Sequence, residues 1–293
     1  MIEFEYHAPT SLEQALEILD LHGEDARVMA GGTALVIQMK QRLAQPSHVV
    51  GLRGIGNLNS IVSTPNGIRI GALCSHRQIE NSPLIAEYLP LLADTFRKVA
   101  TPRIRNMATI GGGLVNGDPA QDPPPSLIAL GASAVLTSRN GERTIPIEKL
   151  FVDYYETDVQ PGEVLTSVVV PKTPVGSGSA YLKFLPRTAD DYGTVSVASV
   201  ISKNQDGTCK DVRIVLGSAG VTPIRAIDAE DYLRGEYLTD ENIRFAAALV
   251  KTTVDPLDDF RGSAEYKTDM AEVFSRRAVE QAMATIKDGS EYA

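Results

Sequence analysis

Residues 106–124 read NMATIGGGLVNGDPAQDPP. Three consecutive glycines follow Thr109 and Ile110, and Asn116, Asp118 and Asp122 follow the glycines. Glycine admits positive φ and lets a ligand approach the backbone with no Cβ in the way. A second glycine cluster, AGGTAL at 30–35, lies upstream. It joins a short strand expected over 26–32 to a helix expected over 34–44, with another strand over 48–52, so it is the turn of a β–turn–α–β unit. Exposed N–H groups in such a turn form an anion nest, and a helix start behind them adds a positive dipole. A phosphate or pyrophosphate is the natural guest. The competing reading is two ordinary tight turns, which glycine also favours.

Spacing narrows the choice of nucleotide. A Rossmann fingerprint needs GxGxxG directly after a buried strand. Here 111-GGGLVNG-117 has the wrong spacing, and the preceding 101-TPRIRNMAT-109 is too polar for a parallel core strand. Residues 54-GIGNLN-59 lack the third glycine, and no GxxxxGK occurs, so this is not a P-loop protein. What remains is a dinucleotide held by two separate glycine loops outside a Rossmann fold.

Around these loops the elements alternate. Residues 9–23 read as a helix with Thr10 and Glu13 as a capping box, an apolar stripe of Leu12, Ala15, Leu16 and Leu19, and Gly23 as its stop. A hairpin is expected over 58–73 around Pro65-Asn66-Gly67, and mostly helical chain over 75–100, interrupted near Pro83 and Pro90. A second hairpin over 132–147 turns at Asn140-Gly141, and 163–171 is a strand. The Pro/Gly/Ser-rich stretch 172-KTPVGSGSA-180 reads as a linker, with a boundary near residue 176. Strands are expected over 180–186, 193–202 and 210–219, the last two joined at Asp206-Gly207, and helices over 226–235, 239–253 and 262–287. Met270, Val273, Phe274 and Ala278 give the last helix its apolar face.

Composition excludes several classes. The 293-residue chain is 43% apolar and 22% charged, with a formal charge of −9 and a pI near 5.0. Phosphate backbones want Lys/Arg clusters, and none is present, so nucleic acid is not expected as a partner. MIEFEYHAPT has neither a basic n-region nor an apolar h-region, so no signal peptide is expected, and 127-LIALGASAVL-136 is too short to span a bilayer. A cytoplasmic location is expected. Cys74 and Cys209 are the two cysteines, far apart and in no CxxC pair, which argues against a disulfide framework, zinc site or iron–sulfur cluster on this chain. His7, His22, His48 and His76 show no metal-ligand spacing and receive no role. No GxSxG and no Cys/His pairing supports a hydrolase.

Four stretches in order resemble one family: 30-AGGTALVIQMKQR-42, 104-IRNMATIGGGLVNGDPAQD-122, 187-RTADDYGTVSVA-198 and 263-SAEYKTDMAEVFSRRAVEQA-282. Together they are similar to the FAD-binding medium subunit of the molybdenum hydroxylases, the xanthine dehydrogenase family, and within it the carbon monoxide dehydrogenase-like medium chain. The resemblance covers nearly the whole length. It implies an α+β fold: a two-subdomain FAD-binding domain of the vanillyl-alcohol-oxidase/PCMH type over 1–175, with subdomains of about 1–56 and 57–175. A C-terminal α+β domain over 176–293, a three-stranded antiparallel sheet with a helical bundle, follows.

The resemblance also implies site roles. Ala30, Gly31, Gly32, Thr33 and Ala34 wrap the FAD pyrophosphate with backbone N–H groups, and Leu35 packs nearby. Thr109, Ile110, Gly111, Gly112 and Gly113 form the facing loop, with the Thr109 hydroxyl as a donor. Ala100 and Thr101 bring backbone close to the flavin ring. Asn116 follows the glycines, and Asp118 and Asp122 match the family's DPAxD pattern. A carboxylate does not belong beside a phosphate, so their partners are ribose or ribityl hydroxyls. For Asp118 the competing reading is a turn aspartate before Pro119. Leu165 lies where the family sets backbone against the adenine end. Lys183 is the basic residue facing the flavin, where a cation stabilises the reduced anion; otherwise it is a solvated strand lysine. Tyr192 lies over the isoalloxazine, or packs on the sheet as a loop aromatic. No catalytic acid–base residue and no metal ligand is assigned.

Two departures stand out. The first loop has Thr33-Ala34 where relatives often carry His or Thr, then Ser or Asp. The second ends in Gly113 where relatives commonly have Asn or Ser. Each removes one side-chain hydrogen bond, about 1 kcal/mol. The cysteine-rich insertion that holds an extra [4Fe–4S] cluster in some relatives is missing. The implied function is electron transfer within a heterotrimer: a large subunit with the molybdenum cofactor, a small subunit with [2Fe–2S] clusters, and this FAD chain passing electrons to an external acceptor, two trimers forming a dimer. The alternative is a standalone FAD-dependent oxidase or dehydrogenase with its own substrate pocket.

Overall fold

A computed structural model of the chain describes residues 1–186, 188 and 191–286. Arg187, Ala189 and Asp190 of the third motif, and Lys287 of the last expected helix, lie outside the described residues. The N-terminal unit runs β1 (Glu5–His7), α1 (Leu12–His22), β2 (Ala26–Met29), α2 (Leu35–Lys40), β3 (His48–Gly51), and its strands form a parallel sheet in the order β1-β3-β2. Helix α1 buries Ala15, Leu16 and Leu19 against Val50 and Leu52. Its cap is one residue later than expected. Ser11 is extended and its hydroxyl accepts from the Gln14 N–H at 3.3 Å, while the Gln14 side-chain oxygen accepts from the Thr10 N–H at 3.0 Å. Gln14 thus ties down the residue before the cap, and the reciprocal Thr10–Glu13 box that was expected does not form. Helix α2 stops before 44 because Arg42 turns to positive φ, +62°.

The middle region builds a five-stranded antiparallel sheet, β4-β5-β10-β6-β7, from β4 (Ile61–Thr64), β5 (Gly67–Gly71), β6 (Ser133–Ser138), β7 (Gly141–Pro146) and β10 (Val164–Val170). Central β10 buries Val164, Leu165, Val168 and Val170. Between β5 and β6 run α3 (His76–Glu80), α4 (Pro83–Tyr88), α5 (Pro90–Arg97), α6 (Pro102–Met107), α7 (Ile110–Asn116) and α8 (Pro123–Ala129); β8 (Phe151–Asp153) and β9 (Glu156–Thr157) form a small hairpin. Pro83, Pro90, Pro102 and Pro123 each open a helix, where the missing N–H costs nothing.

Helix α7 corrects the sequence expectation. Residues 110–113 are helical rather than an open loop. Glycine in a helix interior costs about 1 kcal/mol relative to alanine. Here the Thr109 hydroxyl caps the turn by accepting from the Gly112 N–H at 3.2 Å. The helix also lies so close to the end of β5 that a Cβ on Gly111 would stand 2.6 Å from the Ala72 methyl.

The C-terminal region is an antiparallel sheet, β11 (Ser177–Phe184), β12 (Val195–Lys203), β13 (Cys209–Gly217) and β14 (Ile224–Arg225), covered by α9 (Ile227–Leu233), α10 (Asp240–Leu249) and α11 (Ala264–Ala284). The two-residue β14 extends the expected three strands to four. The buried face of α11 is Lys267 near its start, then Ala271, Ser275, Ala278, Val279 and Ala282. Met270 and Phe274 are only half-buried at its margin, and Val273 lies outside that cluster. Small residues are needed because α11 comes down onto β11 until a Cβ on Gly178 would collide with the Ala282 carbonyl. Helix α8, buried along its length, packs on α5 and on β12 and β13. Tyr181, Ala198 and Val215 thereby join the same core as Leu127 and Leu136. Among the described residues no helix is long and apolar enough to cross a membrane.

Candidate functional site

The two glycine segments meet. Gly31 lies against the corner between α6 and α7 so closely that a Cβ there would collide with the Met107 carbonyl oxygen and stand 3.1 Å from the Ala108 Cα. A Cβ on Gly112 would touch the Ala30 methyl at 3.4 Å. The Gln38 side-chain amide donates to the Asn116 side-chain oxygen at 3.2 Å, tying α2 to α7. Asn116 is therefore a strut between the segments.

The segments differ in what they offer. Among the described residues, the N–H groups of Gly31, Gly32, Thr33 and Ala34 have no acceptor. Gly32 turns that backbone with φ +72°, which a side chain would resist. The 110–113 N–H groups are already used: Ile110 donates to the Cys74 carbonyl, Gly111 to that of Ala72, Gly112 to the Thr109 hydroxyl and Gly113 to the Thr109 carbonyl. The donors sit on one loop, and α7 supplies a wall and the Thr109 side chain.

Behind that wall are polar atoms that sequence reasoning missed. His76 is buried beside the Thr109 backbone, and among the described residues neither ring nitrogen has a partner at hydrogen-bond geometry. The Gln121 amide nitrogen is likewise buried and unpaired. A Cβ on Gly113 would lie 3.2 Å from the Gln121 side-chain oxygen and 3.8 Å from His76 Nε2, so glycine leaves room between them. Buried polar groups without partners are rare in folded proteins, and these two lie on the far side of α7 from the 30–34 loop's free donors. Burial pushes the His76 imidazole down to about 4, so it is neutral at pH 7. Its folded value lies below the ordinary value of about 6.5. Stability is then full above that value and falls as pH drops toward 4, by about 3 kcal/mol in all. Urea melts between pH 7 and pH 4 should show this loss, and His76→Leu should flatten it.

Ala100 takes a positive φ of +37°. Buried Arg105 holds it there, its guanidinium donating to the Val99 and Ala100 carbonyls at 2.7 and 2.8 Å and to Glu80 Oε2 at 3.0 Å. Thr101 caps α6. The Arg105–Glu80 pair had no local signal, since the partners are 25 residues apart.

Asp118 accepts from the Ala120 N–H at 2.9 Å, the turn geometry of the simpler reading. It also faces two phenols: burial first, then the Asp118 carboxylate, raises Tyr155 and raises Tyr192 to about 12. Tyr192 is half exposed, and Arg261 stands 5.9 Å from its ring centre. Leu165 points into the core from β10, leaving only its backbone for a ligand.

Asp122 and Lys183 require correction. Both are buried and both are already partnered. Asp122 accepts from the Tyr181 hydroxyl at 2.5 Å and from Lys183 Nζ at 2.9 Å, and Lys183 also donates to the Lys98 carbonyl at 3.1 Å. Burial pushes the Asp122 carboxyl up, and the Lys183 ammonium pulls it back. The carboxylate is turned inward instead of toward sugar hydroxyls, and the ammonium is neutralised instead of standing free.

A family described as the FAD binding domain in molybdopterin dehydrogenase matches residues 2–173, and one described as the CO dehydrogenase flavoprotein C-terminal domain matches 180–282. The carbon monoxide dehydrogenase medium chain of Afipia carboxidovorans is 40% identical over 285 residues, covering 97% of this chain and 98% of that one. The nicotine 6-hydroxylase medium subunit of Paenarthrobacter nicotinovorans is 37% identical, covering 94% and 96%. The solved carbon monoxide dehydrogenase of Hydrogenophaga pseudoflava that lacks the Mo-pyranopterin moiety contains a chain that superimposes with a TM-score of 0.95 at 38% identity, covering 98% of this chain and 100% of that one. The chain belongs to the FAD-binding medium subunits of the molybdenum-containing dehydrogenases, the carbon monoxide dehydrogenase and xanthine dehydrogenase family.

Proposed function

We propose that this chain is the electron-exit subunit of a heterotrimer whose large partner holds the molybdenum cofactor and whose small partner holds [2Fe–2S] clusters, two such trimers pairing in the cytoplasm. Bound FAD supplies a carrier that collects single electrons from the clusters and passes a pair to an external acceptor. The residues of this chain bind and orient it. The N–H groups of Gly31, Gly32, Thr33 and Ala34 donate to pyrophosphate oxygens, and Leu35 packs beside them. From the facing wall, Thr109 adds its hydroxyl and Ile110 to Gly113 the surface. The Ala100–Thr101 turn, held by Arg105, presents backbone to the ring, and Tyr192 covers it. Asp118 accepts from a sugar or ribityl hydroxyl, and the Leu165 backbone lines the adenine end. Asp122 and Lys183 brace the floor, joining α8 to β11 across a domain boundary near residue 176.

The observation that carries this reading is the run of four adjacent N–H groups that, among the described residues, have no acceptor, on the loop opposite α7. Its test is the visible spectrum of the chain purified alone and after coexpression with its genomic neighbours. Flavin bands in the chain, joined by broad iron–sulfur absorption in a copurifying complex, are expected. A flavin-bearing chain that copurifies with no partner and oxidises a substrate by itself would point to a standalone enzyme instead.

A further inference from the structure

Three of the four histidines converge although their sequence positions gave no sign of it. His7 is the last residue of β1, His22 the last of α1 and His48 the first of β3. The parallel register sets His48 beside Glu5, and the end of α1 brings the His22 ring against those of His7 and His48. His7 Nε2 and His48 Nδ1 are 3.1 Å apart. The His22 and His48 rings stack with centres 3.6 Å apart. One ligand atom from each of the three lies within 4.8 Å of the other two, and all three residues are half-buried.

We propose that His7, His22 and His48 form a binding site for a divalent transition-metal ion of the zinc class. Nitrogens that share a tetrahedral zinc ion at about 2.0–2.1 Å stand roughly 3.3 Å from one another. The His7–His48 pair already has that separation, and ring rotation of His22 closes the rest. Imidazole donors suit zinc, nickel and copper and disfavour magnesium and calcium. Glu5 stands nearby, its carboxylate oxygens 3.9 Å from His7 Nδ1 and 3.7 Å from His48 Nδ1; with His7 bound through Nε2, a small movement of this exposed side chain would bring it to the outer nitrogen as a second-layer partner. Three protein nitrogens leave one position for water. The ion clips together β1, α1 and β3, where β1 is a three-residue strand paired on one side only. None of these residues belongs to the flavin crevice.

The competing reading is a histidine–histidine hydrogen bond with a stacked third ring and no affinity for metal. Calorimetric titration of the untagged, chelator-treated full chain with Zn²⁺ decides between them. One ion per chain is expected, with affinity falling at least tenfold in His22→Asn and in His48→Ala. Flavin content and circular dichroism should be unchanged in both variants. Co²⁺ should give the intense visible bands of a four-coordinate site in the wild type and lose them in the variants. Thermal unfolding should move to higher temperature with Zn²⁺ in the wild type only. Wild-type chain that takes up no stoichiometric Zn²⁺, or uptake that both variants retain, overturns the proposal.

Discussion

Gly31→Val should leave a folded chain that keeps less than a tenth of the wild-type flavin per protein. Its Cβ would run into the Met107 carbonyl and the Ala108 Cα. Both are backbone atoms, so neither can swing aside as a side-chain tip would. The 30–34 loop must withdraw from the α6–α7 corner, and its N–H groups move with it. Hydrogen bonds to a charged acceptor contribute about 1.5–3 kcal/mol each, so losing one costs roughly ten- to a hundredfold in affinity. The absorbance ratio after gel filtration, with far-ultraviolet circular dichroism as the check on folding, measures the effect. Gly32→Ala is the contrast. There a Cβ meets only the Met29 sulfur and a Val36 methyl at 3.4 Å, and the cost is the positive φ, about 1–2 kcal/mol. Flavin retention should fall less. A Gly31→Val chain that stays fully yellow would remove the crevice as the flavin site.

Lys183→Met should destabilise the fold by about 3–5 kcal/mol at neutral pH, the usual result of leaving a buried charge unpaired. Among the described residues Asp122 then keeps the Tyr181 hydroxyl as its hydrogen-bond donor. Burial already pushes its carboxyl up, and without the ammonium the folded-state value rises further above the unfolded one. The orphaned carboxyl is therefore tolerated once protonated. The penalty is largest at high pH and shrinks as pH falls through the raised value. Asp122→Asn with Lys183→Met should recover part of the loss. Urea melts of the four-protein cycle should give a coupling energy of about 2 kcal/mol or more. A coupling near zero would mean that the ion pair contributes nothing and that the two residues act separately.

The two corrections at this site have one cause. Asp122 and Lys183 are 61 residues apart and sit on α8 and β11. Each has a reasonable local reading, a carboxylate after a glycine segment and a lysine on a half-buried strand. Both readings are displaced once α8 packs against the C-terminal sheet. Residues 110–113 fail for a related reason. Three glycines argue for a loop on propensity, and the Thr109 cap together with contact on Ala72 outweighs it. His76 was invisible because nothing adjacent in sequence marks it. Its environment comes from Thr109, Gly113 and Phe96.

By itself the sequence determined the two long hairpins and the longer strands, though not β1, β8, β9 or β14, together with the proline and glycine stops, the glycine clusters and the family resemblance. Each rests on short-range physics: side-chain periodicity, capping within three or four residues, and backbone freedom at glycine. Only the tertiary structure decided that the two glycine segments touch, that donors remain free on one and are consumed on the other, that Asp122 meets Lys183, and that His7, His22 and His48 come together beside the N-terminal sheet. These are contacts between elements distant in the chain. They follow from how helices and sheets bury their apolar faces together, which sets where a polar side chain ends up and whether its partner is water, a ligand or another residue.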